Sequence, residues 1–89
     1  MTRETRSKGG IYINADHKKI DLTFGRRLNQ LMIERGLYPK DIQRMTGVRR
    51  QNIYQYVQGV KQPSAYNVKR IARGLNVSAD WLLGIEKNE

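Results

Sequence analysis

Cysteine is missing from all 89 residues, and His17 is the single histidine. The first absence excludes a disulfide framework and every thiolate zinc site. The second leaves a histidine metal cluster or a Ser-His-Asp arrangement with one imidazole, in a segment that reads as a surface turn. No metal, no cofactor and no enzyme centre is therefore expected. No apolar run reaches the ~18 residues of a membrane helix, and no basic helix carries an aromatic-rich face. The first 20 residues also lack the apolar stretch of a secretory signal. No membrane partner is expected, and the cytoplasm is the expected compartment. Acidic residues are scarce too: 8 Asp and Glu against 17 Lys and Arg leave a formal charge of +9. That balance points to a polyanion. With 38% hydrophobic residues, the length allows one small domain with its apolar residues concentrated on helix faces, and dimerisation would add burial.

What the chain does have is a run of two helix-sized segments between Gly36 and Gly59, broken at Gly47. The second segment opens on Arg50, Gln51 and Asn52, with Gln55 one turn on. Two short helices around a glycine turn, the second rich in amides and guanidiniums, are the pattern of a helix-turn-helix. Those side chains make paired hydrogen bonds to base edges, so the expected partner is double-stranded DNA.

Residues 1 to 10 hold no apolar side chain after Met1 and end in a glycine pair, as a mobile arm would. Ile11, Tyr12 and Ile13 are β-prone, and Asn14 to His17 can turn the chain, giving at most a short strand or hairpin before residue 23. From Thr23 the period becomes helical: Phe24, Leu28, Leu31 and Met32 form one stripe, which Gly36 ends. Pro39 suits the first turn of a second helix with Ile42, Met45 and Val48 inward. A third helix spans about Arg50 to Gln58 with Ile53, Tyr56 and Val57 inward. Ser64 caps a fourth, whose stripe is Val68, Ile71, Ala72 and Leu75 and which Asn76 ends. Ser78 caps the last, Ala79 to about Leu83, with Val77 and Leu82 at the positions of a hydrophobic staple. The expected organisation is a basic arm over residues 1–22, an all-α domain of five helices over 23–85, and a tail over 86–89.

In order along the chain stand Glu34-Arg35-Gly36-Leu37, Gly47-Val48, Ile53, Gly59, Gln62-Pro63-Ser64, Ile71-Ala72, Leu75 and Val77-Ser78-Ala79-Asp80-Trp81-Leu82-Leu83-Gly84. With these spacings residues 23 to 84 resemble the helix-turn-helix family of lambdoid phage repressors, Cro proteins and xenobiotic-response-element-type regulators. The resemblance implies a five-helix lambda-repressor-like fold, sequence-specific binding of a palindromic operator, and a homodimer formed near the last helix.

Four positions depart from the family pattern. Gln43 stands where a small residue, most often Ala, fills the gap between the second and third helices, so it must change the crossing or turn its amide outward. Thr46 occupies a Leu position, with Met45 expected to supply the missing apolar volume. Pro39 replaces a Gln that contacts phosphate in the family. Arg49 replaces the Ser or Thr cap of the third helix, whose free amides then need another partner.

The resemblance places Arg50, Gln51, Asn52, Tyr54 and Gln55 on or near the base-reading face. Gln and Asn suit adenine and Arg suits guanine, because each pairing is planar and bidentate. The competing reading is a merely solvated helix face. Five long hydrogen-bonding side chains without an acid among them favour base contact. Lys40, Arg44, Arg49 and Lys61 flank that helix and are expected at phosphates. Arg26, Arg27, Lys69, Arg70 and Arg73 read as general surface charge. Arg3, Arg6 and Lys8 on the arm resemble the basic extensions that reach along a duplex or into its minor groove, against the alternative of a solubilising tail. Trp81 is expected in the core, and Leu83 and Ile85 at a dimer contact. The functional expectation is a phage or mobile-element repressor. Its rival is an antitoxin- or coactivator-like module that uses the same fold to hold a protein.

Overall fold

In the computed structural model, which describes residues 21–86, the helical spacing of Phe24, Leu28, Leu31 and Met32 puts all four side chains on the buried side of α1 (Thr23–Arg35). The expected arm with Arg3, Arg6 and Lys8, the expected strand at residues 11–13, His17 and residues 87–89 lie outside the described residues. The other helices are α2 (Pro39–Thr46), α3 (Arg50–Gln58), α4 (Ala65–Leu75) and α5 (Ala79–Leu83). Their bounds follow the sequence signals closely, because those signals are local. Asn76 adopts φ 56°, and the Val77 N–H then reaches back to the Ala72 carbonyl at 2.9 Å, closing α4 in a left-handed cap. At the opposite ends, Ser64 Oγ accepts from the Asn67 N–H at 3.1 Å, and Ser78 Oγ from the Trp81 N–H at 3.2 Å. Each such cap is worth about 1 kcal/mol.

The core is one cluster fed by every helix, with Leu28, Ile42, Ile53, Ile71, Leu75 and Leu82 fully buried. Each contributes about 1.5–3 kcal/mol by leaving water. Helix α1 packs on α3 and α5, and α2 packs on α3 and α4, so α3 is backed from two sides. Phe24 meets Tyr56 edge-on with ring centroids 5.7 Å apart. The buried Tyr56 hydroxyl accepts from Asn67 Nδ2 at 2.9 Å, which removes the cost of a stranded polar group.

Two crossings are tight. A Cβ on Gly25 would overlap the Tyr56 carbonyl, and one on Gly74 would lie 2.8 Å from the Met45 carbonyl and 2.7 Å from Thr46 Cγ2. Gly74 therefore lets Thr46 itself settle against α4. This corrects the expectation for Met45, which points outward at 37% exposure and does not replace the missing leucine. Thr46 answers for its own polarity: its hydroxyl donates to the Ile42 carbonyl at 2.7 Å and accepts from the Val48 N–H at 3.1 Å.

Candidate nucleic-acid interface

Helix α3 presents two unlike faces. Ile53 and Tyr56 are buried and Val57 packs partly against the core, whereas Arg50, Gln51, Tyr54, Gln55 and Gln58 are exposed on the opposite side. Those five recur at i, i+1, i+4, i+5 and i+8, one continuous stripe on a helix. Of the expected base-contacting residues, the structure thus gathers Arg50, Gln51, Tyr54 and Gln55 on one outward face. Asn52 sits at its edge, half-buried, with Oδ1 accepting from Lys61 Nζ at 3.0 Å. That bond ties the loop after α3 to α3 itself.

The start of α3 is held in an unusual way. Arg49 occupies the N-cap in an extended conformation and offers no side-chain bond. The acceptor comes from α2: Gln43 Oε1 accepts from the Arg50 backbone N–H at 2.8 Å and from Arg50 Nε at 3.2 Å. Gln43, itself half-buried, reaches from α2 to the start of α3 and so supplies the partner that Arg49 cannot.

Lys40 lies exposed in the first turn of α2, Arg49 at the cap of α3 and Lys61 in the following loop, so these three cations flank α3 in the chain. Arg44 is exposed too, but it donates to Asp41 at 3.3 Å. Asp41 Oδ2 also accepts from the Tyr38 N–H at 2.8 Å, at the N-terminus of α2. The Tyr38 bond first, and then Arg44, hold the Asp41 carboxyl below the usual carboxylate range. Asp41 therefore stays ionised and offsets part of the positive charge at Arg44.

Arg27 and Arg70, both read as general surface charge, have structural partners. Arg27 donates to the Trp81 carbonyl, pairs with Glu86 at 3.0 Å and lies 5.0 Å from the Trp81 ring centroid. Trp81 accordingly is only partly buried, packed against the core with Arg27 over it. Arg70 stacks on Tyr66 at 5.1 Å and reaches the turn at Gly47, where φ is 80° and a side chain would meet the guanidinium. Nothing in the local periodicity marks either role, since Arg27 and Glu86 are 59 positions apart. Among the described residues no group of His, Cys, Asp or Glu is placed to hold a metal ion, and no helix is long and apolar enough to cross a membrane.

A family model described as a helix-turn-helix domain matches residues 25–84. No curated protein matches the chain in sequence. Among solved structures, the restriction-modification controller protein C.AhdI from Aeromonas hydrophila is 24% identical over 68% of this chain and 92% of its own, with a TM-score of 0.64. The P22 c2 repressor protein, solved in complex with a synthetic operator, is 22% identical over 71% of this chain and 96% of its own, with a TM-score of 0.65. A hypothetical transcription factor, NHTF from Neisseria, is 17% identical over 85% of this chain and 88% of its own, with a TM-score of 0.66. At these identities the likeness is one of fold: the expected five-helix, lambda-repressor-like architecture is the one observed.

Proposed function

Because the chain belongs to the helix-turn-helix domain family, we propose that it is a transcriptional regulator that reads a specific double-stranded DNA sequence with the outer face of α3. It acts as a repressor of the phage or mobile-element kind, by occupying an operator, and has no catalytic step. The observation that carries this is the exposed, acid-free stripe of Arg50, Gln51, Tyr54 and Gln55 opposite the buried Ile53 and Tyr56. A rigidly seated helix can enter the major groove without reorganising, and its amides and guanidinium then meet base edges in pairs. Lys40, Arg49 and Lys61, with Arg44 partly neutralised by Asp41, serve as phosphate anchors that set the register. Arg3, Arg6 and Lys8 add contacts along the duplex, so removing residues 1 to 10 lowers affinity most at low salt.

The regulator works as a homodimer in the cytoplasm, on a palindromic site. Half-exposed Leu83 and exposed Ile85 at the end of α5 support that assembly. The same surface favours the rival, a module holding a protein partner: a groove of about 560 Å³ runs between α4 and α5, lined by Pro63, Ala65, Val68, Ala72, Ala79 and Leu83. Selection of bound sequences from a random duplex pool separates the two. An enriched two-fold-symmetric site is the expected result. A pool that emerges unenriched at moderate salt would reject DNA reading and move the protein-interaction role ahead.

A further inference from the structure

Gln43 joins α2 to the reading helix through one oxygen. Its Oε1 takes the first free amide of α3 and, at the same time, the Nε of Arg50. An arginine has five N–H donors on a planar fork, and fixing Nε leaves the edge formed by the two terminal nitrogens as the paired donor edge. That edge is the one able to make two parallel bonds to the O6 and N7 of guanine. Gln43 is half-buried in α2, so the anchor itself is held, whereas Arg50 is exposed and without it would sample many rotamers.

From this geometry we infer that Gln43 is a specificity-determining positioning residue, which presents Arg50 in one orientation to a guanine while capping α3. The inference rests on the proposed reading of DNA by α3. Ordering Arg50 before binding benefits only the duplex in which the bidentate bond forms, so it raises discrimination at one base pair and does little at the others.

The test compares Gln43→Ala, Arg50→Ala, the double variant and Gln43→Glu with the unaltered protein. Affinities are measured for the selected duplex and its single-base variants, alongside thermal melts. Arg50→Ala is expected to lower discrimination at one base pair by about 5- to 150-fold. Gln43→Ala should lower it at that same pair by about 3- to 10-fold, leaving the other positions unchanged. In the Arg50→Ala background, Gln43→Ala should cause no further loss of discrimination. Gln43→Glu keeps the acceptor and should keep the base preference, while its added negative charge weakens binding to every sequence.

A role in capping alone gives another pattern, since the Arg50 amide survives in Arg50→Ala. Gln43→Ala would then lower melting temperature and affinity for all duplexes equally, and the inference would be overturned. A retained preference in Gln43→Ala beside a lost one in Arg50→Ala overturns it while leaving DNA reading intact. An unchanged preference in Arg50→Ala removes both the role of Arg50 and that of Gln43. Should Gln43→Ala fail to fold, Gln43→Glu decides: loss of preference at the Arg50 position despite an intact acceptor counts against the inference.

Discussion

Gly25 in α1 lies against the backbone carbonyl of Tyr56 in α3, with no space between them for a methyl group. The distance between the two helices is therefore set by backbone and not by side chains. Since α3 carries the exposed amide stripe on its far side, this contact also sets how far that stripe stands from the core.

Gly25→Ala pits two effects against each other. Alanine improves helix propensity by about 1 kcal/mol, but the new Cβ forces α1 and α3 apart, and a carbonyl cannot step aside as a flexible side chain does. Overpacking of this kind costs about 1–3 kcal/mol or more. A net destabilisation is expected, with a drop in melting temperature of about 4–8 °C for each kcal/mol lost, and with weaker DNA binding as α3 shifts. A thermal melt at or above that of the unaltered protein would refute the close crossing.

The pairing of Arg27 with Trp81 and Glu86 should matter unequally at its two ends. Arg27→Ala removes a bond to the Trp81 carbonyl, the stacking on the indole and the ion pair together. A loss of about 1–2 kcal/mol is expected. Glu86→Gln removes only an exposed pair and should cost less. Urea unfolding followed by the fluorescence of Trp81, the single tryptophan, measures both. Equal losses would mean that the ion pair, not the carbonyl bond and the ring contact, secures α5.

Asp41 predicts a dependence on pH. Its carboxyl is held below the usual range by the Tyr38 amide and then by Arg44, so the folded state favours the ionised form more than the unfolded state does. That contribution is complete above the unfolded value of about 4 and fades as pH falls through the folded one. Asp41→Asn should therefore be less stable than the unaltered protein near pH 7, and the gap should close on acidification. Melts from pH 7 down to pH 3 test this; a gap that persisted at the acid end would show that charge is not its source. The same substitution frees Arg44 and should strengthen binding to DNA at low salt.

Readers and anchors should separate cleanly. Gln51→Ala or Gln55→Ala is expected to cost about 1–3 kcal/mol at the preferred site and to flatten discrimination at one or two base positions. Lys61→Ala should weaken all sequences by a similar factor, the position met by Asn52 excepted, and reduce the slope of log affinity against log salt by about one unit. Because Lys61 also holds Asn52, a small loss of discrimination at the Asn52 position should accompany it. Binding over a salt series, on the preferred duplex and its variants, gives both quantities. Unaltered base preferences in both glutamine variants would remove α3 as the reading element.

The helices and their ends were determined by the sequence alone. A stripe such as Val68, Ile71, Ala72 and Leu75, a cap such as Ser64 and a left-handed stop such as Asn76 act within about two turns of chain, so their effect is visible without knowing what lies across the core. The exposed side of α3 was legible for the same reason, as the complement of Ile53 and Tyr56. What the sequence left open was decided by contacts between helices. Met45 and Thr46 both fit the inward side of α2 by composition, and the space beside Gly74 selected the threonine. Gln43 could be seen to be out of place, but only the packing of α2 against α3 brings its oxygen to Arg50. Arg27 reads as one more surface cation until α5 folds back onto α1 and places Trp81 and Glu86 beside it. Periodicity records which side of a helix is buried; it carries no information about what a charged or amide side chain meets on another helix, because that depends on crossing angles and distances set by the whole core.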